Sequence, residues 1–100
     1  MSYPKIVRAE AIGECIIRVE FTNQDIKDYD ISSLLEKPMF APLQQPAFFK
    51  NFQVEPGGYG LVWNDDIDIS EYELWTKGKT AQINGDNAFT SDLQRFPSAL

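Results

Sequence analysis

Five carboxylates fall within twelve residues, Asp65, Asp66, Asp68, Glu71 and Glu73 in the stretch from Asn64 to Trp75, with no basic side chain among them. Carboxylates at that density suit three kinds of chemistry: binding a divalent cation, sharing a proton in acid–base catalysis, or steering a basic partner. The run Asp66-Ile67-Asp68-Ile69-Ser70 has the alternating oxygens of a cation loop, but it lacks the glycine at the sixth position that bends a Ca²⁺ loop. A strand with one buried face produces the same alternation, and that is the preferred reading. Acid–base work needs an environment that pushes two carboxylate pKa values apart, and nothing in the sequence indicates one.

Other chemistries close quickly. The chain has no histidine, so Ser-His-Asp and Cys-His arrangements and the usual His-containing zinc sites are impossible. Cys15 is the single cysteine, which removes intrachain disulfides and Cys₄ metal sites and leaves it as a small buried hydrophobe in an apolar strand. Gly57-Gly58-Tyr59-Gly60 is glycine-rich but lacks the following helix and the Lys-Ser/Thr of a phosphate loop, so it reads as a hairpin turn. Tyr3, Tyr29, Tyr59, Tyr72, Trp63 and Trp75 are a surplus of aromatics suited to a core or an interface. Trp63, closing an apolar strand, is expected in the core; Trp75 is divided between core and interface.

The 100 residues suffice for one domain, and their 43% hydrophobic and 24% charged content is that of a globular chain. Residues 1–50 carry six basic and seven acidic groups, and residues 51–100 three and eight, giving −6 overall. Such an acidic chain lacks the cations that displace counterions from phosphates, so no direct nucleic-acid partner and no membrane surface are expected. The N-terminus has no apolar signal core and no apolar run is long enough to span a bilayer, so a cytoplasmic protein is expected.

The elements that must position these side chains follow from periodicity. Cys15, Ile17, Val19 and Phe21 alternate with Ile16, Arg18 and Glu20, the period of a strand. A strand over Lys5 to Ala11 before it and one over Asp25 to Ile31 after it complete an antiparallel meander, turning at Gly13-Glu14 and Thr22-Asn23-Gln24. Ser33 with Glu36 predicts a capping box for a short helix through Leu34 and Leu35, stopped by Pro38; Pro46 opens a second, which Asn51 ends. Phe52-Gln53-Val54 and Leu61-Val62-Trp63 predict a hairpin closed by Pro56 to Gly60. Ser70 with Glu73 predicts a third capped helix, and Ala88 to Phe96 a fourth before Pro97. The expected fold is α+β: one small antiparallel sheet of about five strands with two short helices between strands three and four, a further short helix and an irregular tail. Residues 1–75 form the domain and residues 76–100 an extension that folds onto a neighbouring copy.

The order of these signals resembles a known bacterial family. Pro4-Lys5-Ile6-Val7, Asp30-Ile31-Ser32-Ser33-Leu34-Leu35, Phe40-Ala41-Pro42-Leu43, Val62-Trp63, Asp68-Ile69 and Leu74-Trp75 look like the domain of unknown function 2442, over residues 4 to 75. The resemblance implies a fold like the N-terminal domain of a member that also carries a helix-turn-helix, of which nothing after residue 75 gives a sign here. Where many members have Asp-Gly this chain has Asn23-Gln24, so a longer loop is expected there. The resemblance implies no established enzymatic activity; members sit beside small partner genes, in arrangements suggestive of toxin–antitoxin pairs and mobile elements.

Function is therefore expected to be non-enzymatic: a protein-interaction or regulatory module with a protein partner, basic in charge, and a homodimer through an edge strand or the aromatics. Its candidate surface is Asp65, Asp66, Asp68, Glu71, Glu73 and Trp75, with no cofactor, no bound metal and no catalytic residue. The alternative is a small-molecule or cation-binding domain using the aromatics and the Asp65 to Asp68 cluster. An enzyme of another type would need a concave pocket with convergent polar groups.

Overall fold

In a computed structural model the described residues are 3–81 and Phe89. The chain begins with the expected meander: β1 (Ile6–Ala11), β2 (Ile16–Phe21) and β3 (Ile26–Asp30), antiparallel throughout. The alternation fixes which face is buried. Ile17, Val19 and Phe21 of β2 are almost fully buried, with Ala9 and Ala11 of β1 opposite Val19 and Ile17. The other face carries charge: the Arg18 guanidinium donates from Nε and Nη2 to Asp28 at 2.8 and 3.0 Å, and Arg8 Nε donates to Glu20 at 3.0 Å. A one-residue register shift, a β-bulge, falls between Ile6 and Arg8.

The turn at Asn23-Gln24 is the longer loop that the missing Asp-Gly implies. Gln24 N donates to Phe21 O and Phe21 N to Asp25 O, both at 2.9 Å, enclosing three loop residues. Gln24 takes the left-handed backbone at φ 76°, the position that closes such loops.

After β3 the chain leaves the sheet through two 3₁₀ helices, Leu34–Glu36 and Pro38–Gln44, and the single-turn α1 (Pro46–Phe49). The Ser33–Glu36 capping box does not form: Ser33 is itself in helical conformation and its hydroxyl caps nothing. Asp30 starts the turn instead, its Oδ1 accepting from Ser32 N at 2.8 Å and Ser32 Oγ at 2.5 Å. An aspartate that bonds two residues ahead offers the backbone a turn rather than a helical start. Pro38 does end the first helix, by holding Lys37 extended, and then opens the next. Pro46 opens α1 as expected, and Asn51 N donates to Phe48 O at its end.

A second antiparallel sheet follows, β4 (Gln53–Val54), β5 (Gly60–Val62) and β6 (Asp68–Ser70), then α2 (Glu71–Lys77) and β7 (Lys79–Thr80), which returns to pair with β3. The fold is α+β. Its strands divide into sheets ordered β1-β2-β3-β7 and β4-β5-β6 instead of forming one sheet of about five. The division is physical: Pro38, Pro42 and Pro46 turn the chain away before β4. The hairpin then meets the first sheet through one backbone bond, Ile6 N to Gly58 O at 2.9 Å, rather than a ladder.

The main core draws on both sheets and the helical segments: Tyr29 of the first sheet joins Leu61 and Ile69 of the second, Leu43, Phe49 and Leu74 of the helical segments, and Ile31 and Ile67. Trp63 is buried as expected, its Nε1–H donating to Phe49 O at 2.9 Å and its ring meeting Phe52 edge-on at 5.4 Å. Cys15 is only half-buried and packs against this core. The helix expected over Ala88 to Phe96 lies outside the described residues except for Phe89. That ring is buried and sits 4.2 Å from the Arg8 guanidinium, apart from the main core.

Candidate functional site

Asp65 and Asp66 occupy the tip of the β5–β6 hairpin. Asn64 precedes them and folds its side chain inward, Oδ1 accepting from Asp66 N at 2.8 Å and Ile67 N at 2.9 Å, while Trp63 N donates to Ile67 O at 2.9 Å. That arrangement satisfies the turn's backbone and leaves both aspartate side chains in solvent. Asp68 joins them, pointing outward between buried Ile67 and Ile69, which is the half-buried strand pattern. No ion pair among the described residues involves these three carboxylates. Nor do any three Cys, Asp or Glu side chains among the described residues converge as a metal ion requires.

The remaining candidates go elsewhere. Ser70 caps α2, its hydroxyl accepting from Glu73 N at 3.1 Å, and the helix then sends successive side chains to different neighbours. Glu71 turns to Lys5, whose ammonium is 3.2 Å from its Oε2; that buried oxygen has the ion pair and no hydrogen bond. Glu73 does not reach back to its own helix start, as a full capping box would, but accepts from the Tyr29 hydroxyl at 2.7 Å. Burial, then this carboxylate, push the Tyr29 phenol well above the usual tyrosine range. Trp75 is half-buried against the first sheet, edge-on to Phe21 at 5.1 Å, with the Lys27 ammonium 3.7 Å over its ring and donating to its carbonyl at 2.6 Å. The six-residue surface is thus a three-aspartate tip plus three side chains committed to internal partners.

A feature that sequence reasoning did not assemble sits at the other end of the hairpin. Tyr3, Tyr59 and Tyr72 are 41%, 56% and 50% exposed, far above the buried aromatics of the core. Tyr3 and Tyr72 pack edge-to-face at 4.9 Å, and the Lys5 ammonium lies 4.7 Å over the Tyr59 ring while pairing with Glu71. The bond from Glu71 N to Tyr59 O, 2.9 Å, ties the glycine turn to the start of α2 and so sets Tyr59 beside the residue that precedes Tyr72. Each tyrosine is visible in the sequence; their convergence depends on two contacts 12 and more residues apart, which periodicity does not report.

A family model described as a protein of unknown function (DUF2442) matches residues 6–80. The chain belongs to the DUF2442 family. No curated protein and no solved structure matches it. The DUF2442 match runs from the start of β1 to the end of β7, so α2 and β7 lie within the family's domain and the match continues five residues past the expected limit at residue 75.

In this DUF2442 chain a cleft of about 630 Å³ lined by Asp28, Tyr29, Asp30, Glu73, Lys77 and Lys79 lies away from the aspartate tip. Its acids are already engaged: Asp28 by Arg18, Glu73 by Tyr29, and Asp30 by the hydroxyl and backbone N–H of Ser32, which hold the Asp30 carboxyl below the usual range. A downward shift keeps Asp30 ionised at neutral pH, the opposite of what a general acid needs.

Proposed function

We propose that the chain is a non-enzymatic protein-interaction module with a regulatory role, of the kind in which a small acidic protein binds a basic protein encoded beside it. The observation that carries this reading is the exposure of three tyrosines around the start of α2, Tyr3 edge-to-face on Tyr72 and Tyr59 beneath the Lys5 ammonium. Tyrosine offers large contact area and a hydroxyl with few rotatable bonds, and is enriched where interfaces concentrate their binding energy. The aspartate tip at the far end of the same hairpin supplies the second requirement, a negative field that speeds encounter with a basic surface.

The two parts predict different kinetics with the basic partner. The Tyr59→Ala/Tyr72→Ala double variant should raise the dissociation rate by on the order of tenfold or more, with the association rate little changed. Asp65→Asn/Asp66→Asn/Asp68→Asn should lower the association rate and flatten its salt dependence. Both sets alter exposed side chains, so melting should stay close to wild type. Folded variants that bind the partner with unchanged rates would contradict the proposal.

A further inference from the structure

The cleft beside β3 and α2 holds charges of both signs that do not pair with each other. Lys77 ends α2 and Lys79 opens β7, one on either side of Gly78; both residues are exposed, and no ion pair among the described residues involves them. Lys79 stands opposite Asp28 in the β3–β7 ladder, but Arg18 already holds both oxygens of that carboxylate. Glu73 and Lys77 have the four-residue spacing of a helix ion pair, yet Glu73 turns to the neutral Tyr29 hydroxyl instead. Asp30 is held by Ser32 through Oδ1 alone, so its charge too meets no cation at ion-pair distance. With Asp28 and Arg18 cancelled, two ammonium groups and two carboxylates remain, each carboxylate with one oxygen unused.

The backbone adds a fixed donor. β7 pairs only with Lys27 and Asp28, and β3 runs on past it to Asp30. Ala81 N donates to Ile26 O at 3.0 Å and Ile31 N to Cys15 O at 2.8 Å, so even-numbered residues of β3 turn their backbone groups towards β7 and odd-numbered ones towards β2. The Asp30 N–H therefore points to where β7 has given way to α2, with no hydrogen bond among the described residues. Ile16, opposite Asp30 in β2, lines the same cleft and gives it an apolar wall.

These charges select their ligand. A simple anion drawn to the lysines would meet the two carboxylates, and a simple cation would meet the lysines. A molecule with both signs on neighbouring atoms satisfies both sets at once. The volume of about 630 Å³ lies within the range of small-molecule sites. We propose that the cleft binds a free α-amino acid, its carboxylate held by Lys77, Lys79 and the Asp30 N–H and its ammonium by the unused oxygens of Asp30 and Glu73. This site is separate from the exposed tyrosines and needs no protein partner, so it stands or falls independently of the interaction proposal.

Thermal melting of the full chain with each of the common amino acids at millimolar concentration tests it, since binding to the folded state alone raises the midpoint. At least one amino acid is expected to raise it. The 2-hydroxy acid and the carboxamide of that amino acid, which lack the ammonium and the carboxylate respectively, are each expected to bind on the order of tenfold more weakly. Lys77→Gln/Lys79→Gln and Asp30→Asn are expected to weaken the amino acid itself by a similar factor. Asparagine keeps the Oδ1 acceptor for Ser32; should that variant still fail to fold, the 2-hydroxy acid tests the ammonium contact on the wild-type chain. A midpoint that no amino acid raises would overturn the proposal. So would a 2-hydroxy acid that binds as tightly as its amino acid, or binding that survives the loss of both lysines.

Discussion

Tyr29 couples the first sheet to α2 through one side chain. Its ring is 4% exposed and its hydroxyl donates to a carboxylate, the stronger class of hydrogen bond. Replacing it by phenylalanine should cost about 1–2 kcal/mol at pH 7 in urea denaturation, since Glu73 loses its donor in a partly buried place. The sign of the pH effect follows from a folded-state pKa raised above the unfolded value near 10. The stabilisation is complete below that value and is lost as pH climbs from it towards the folded pKa. Wild type should therefore lose more stability than Tyr29→Phe between pH 7 and about 10.5, the exposed tyrosines contributing equally to both. Equal losses would mean that Tyr29 ionises as freely in the folded protein as in the unfolded one.

Local elements divide into those with a sequence rule that the fold obeys and those where a neighbour overrides it. Ser33 and Ser70 both begin a Ser-x-x-Glu pattern, yet only Ser70 accepts a bond from the helix it precedes. Ser70→Ala should cost about 1 kcal/mol and Ser33→Ala a few tenths or less, because Asp30 already holds the first turn. The adjoining glycines separate similarly. Gly57 and Gly58 both have positive φ, but a Cβ on Gly58 would strike the Ile6 backbone, while one on Gly57 meets only the swinging ring of Tyr59. Gly58→Ala should cost more than about 2 kcal/mol and Gly57→Ala about 1 kcal/mol, read as shifts in urea midpoint. The alternation of β2, the proline at the start of α1, the hairpin around Gly57-Gly58 and the Ser70 cap were legible because each depends on residues close in sequence. The second sheet and β7 were not. Their separation depends on where three prolines send the chain, and β7 is two exposed residues, Lys79 and Thr80, recruited by β3 with no periodicity of their own.

At the scale of the molecule, charge that looks like one acidic stretch in the sequence has several destinations. Glu71 and Glu73 are held by Lys5 and Tyr29, and the aspartates at the hairpin tip are left to solvent. A linear cluster shows composition but not direction; successive residues on α2 point about 100° apart, so Glu71, Glu73 and Trp75 were never one face. Family membership brings the fold and leaves the activity open. No helix among the described residues is long and apolar enough to cross a membrane.

The interaction proposal is tested most directly by affinity capture of the tagged chain from its native host, with nuclease added, at low and moderate salt, beside the Tyr59→Ala/Tyr72→Ala variant. The expected result is one stoichiometric basic protein that wild type retains, that weakens as salt rises and that the variant loses while remaining folded. An empty capture, or a partner held equally well by the variant, would contradict it.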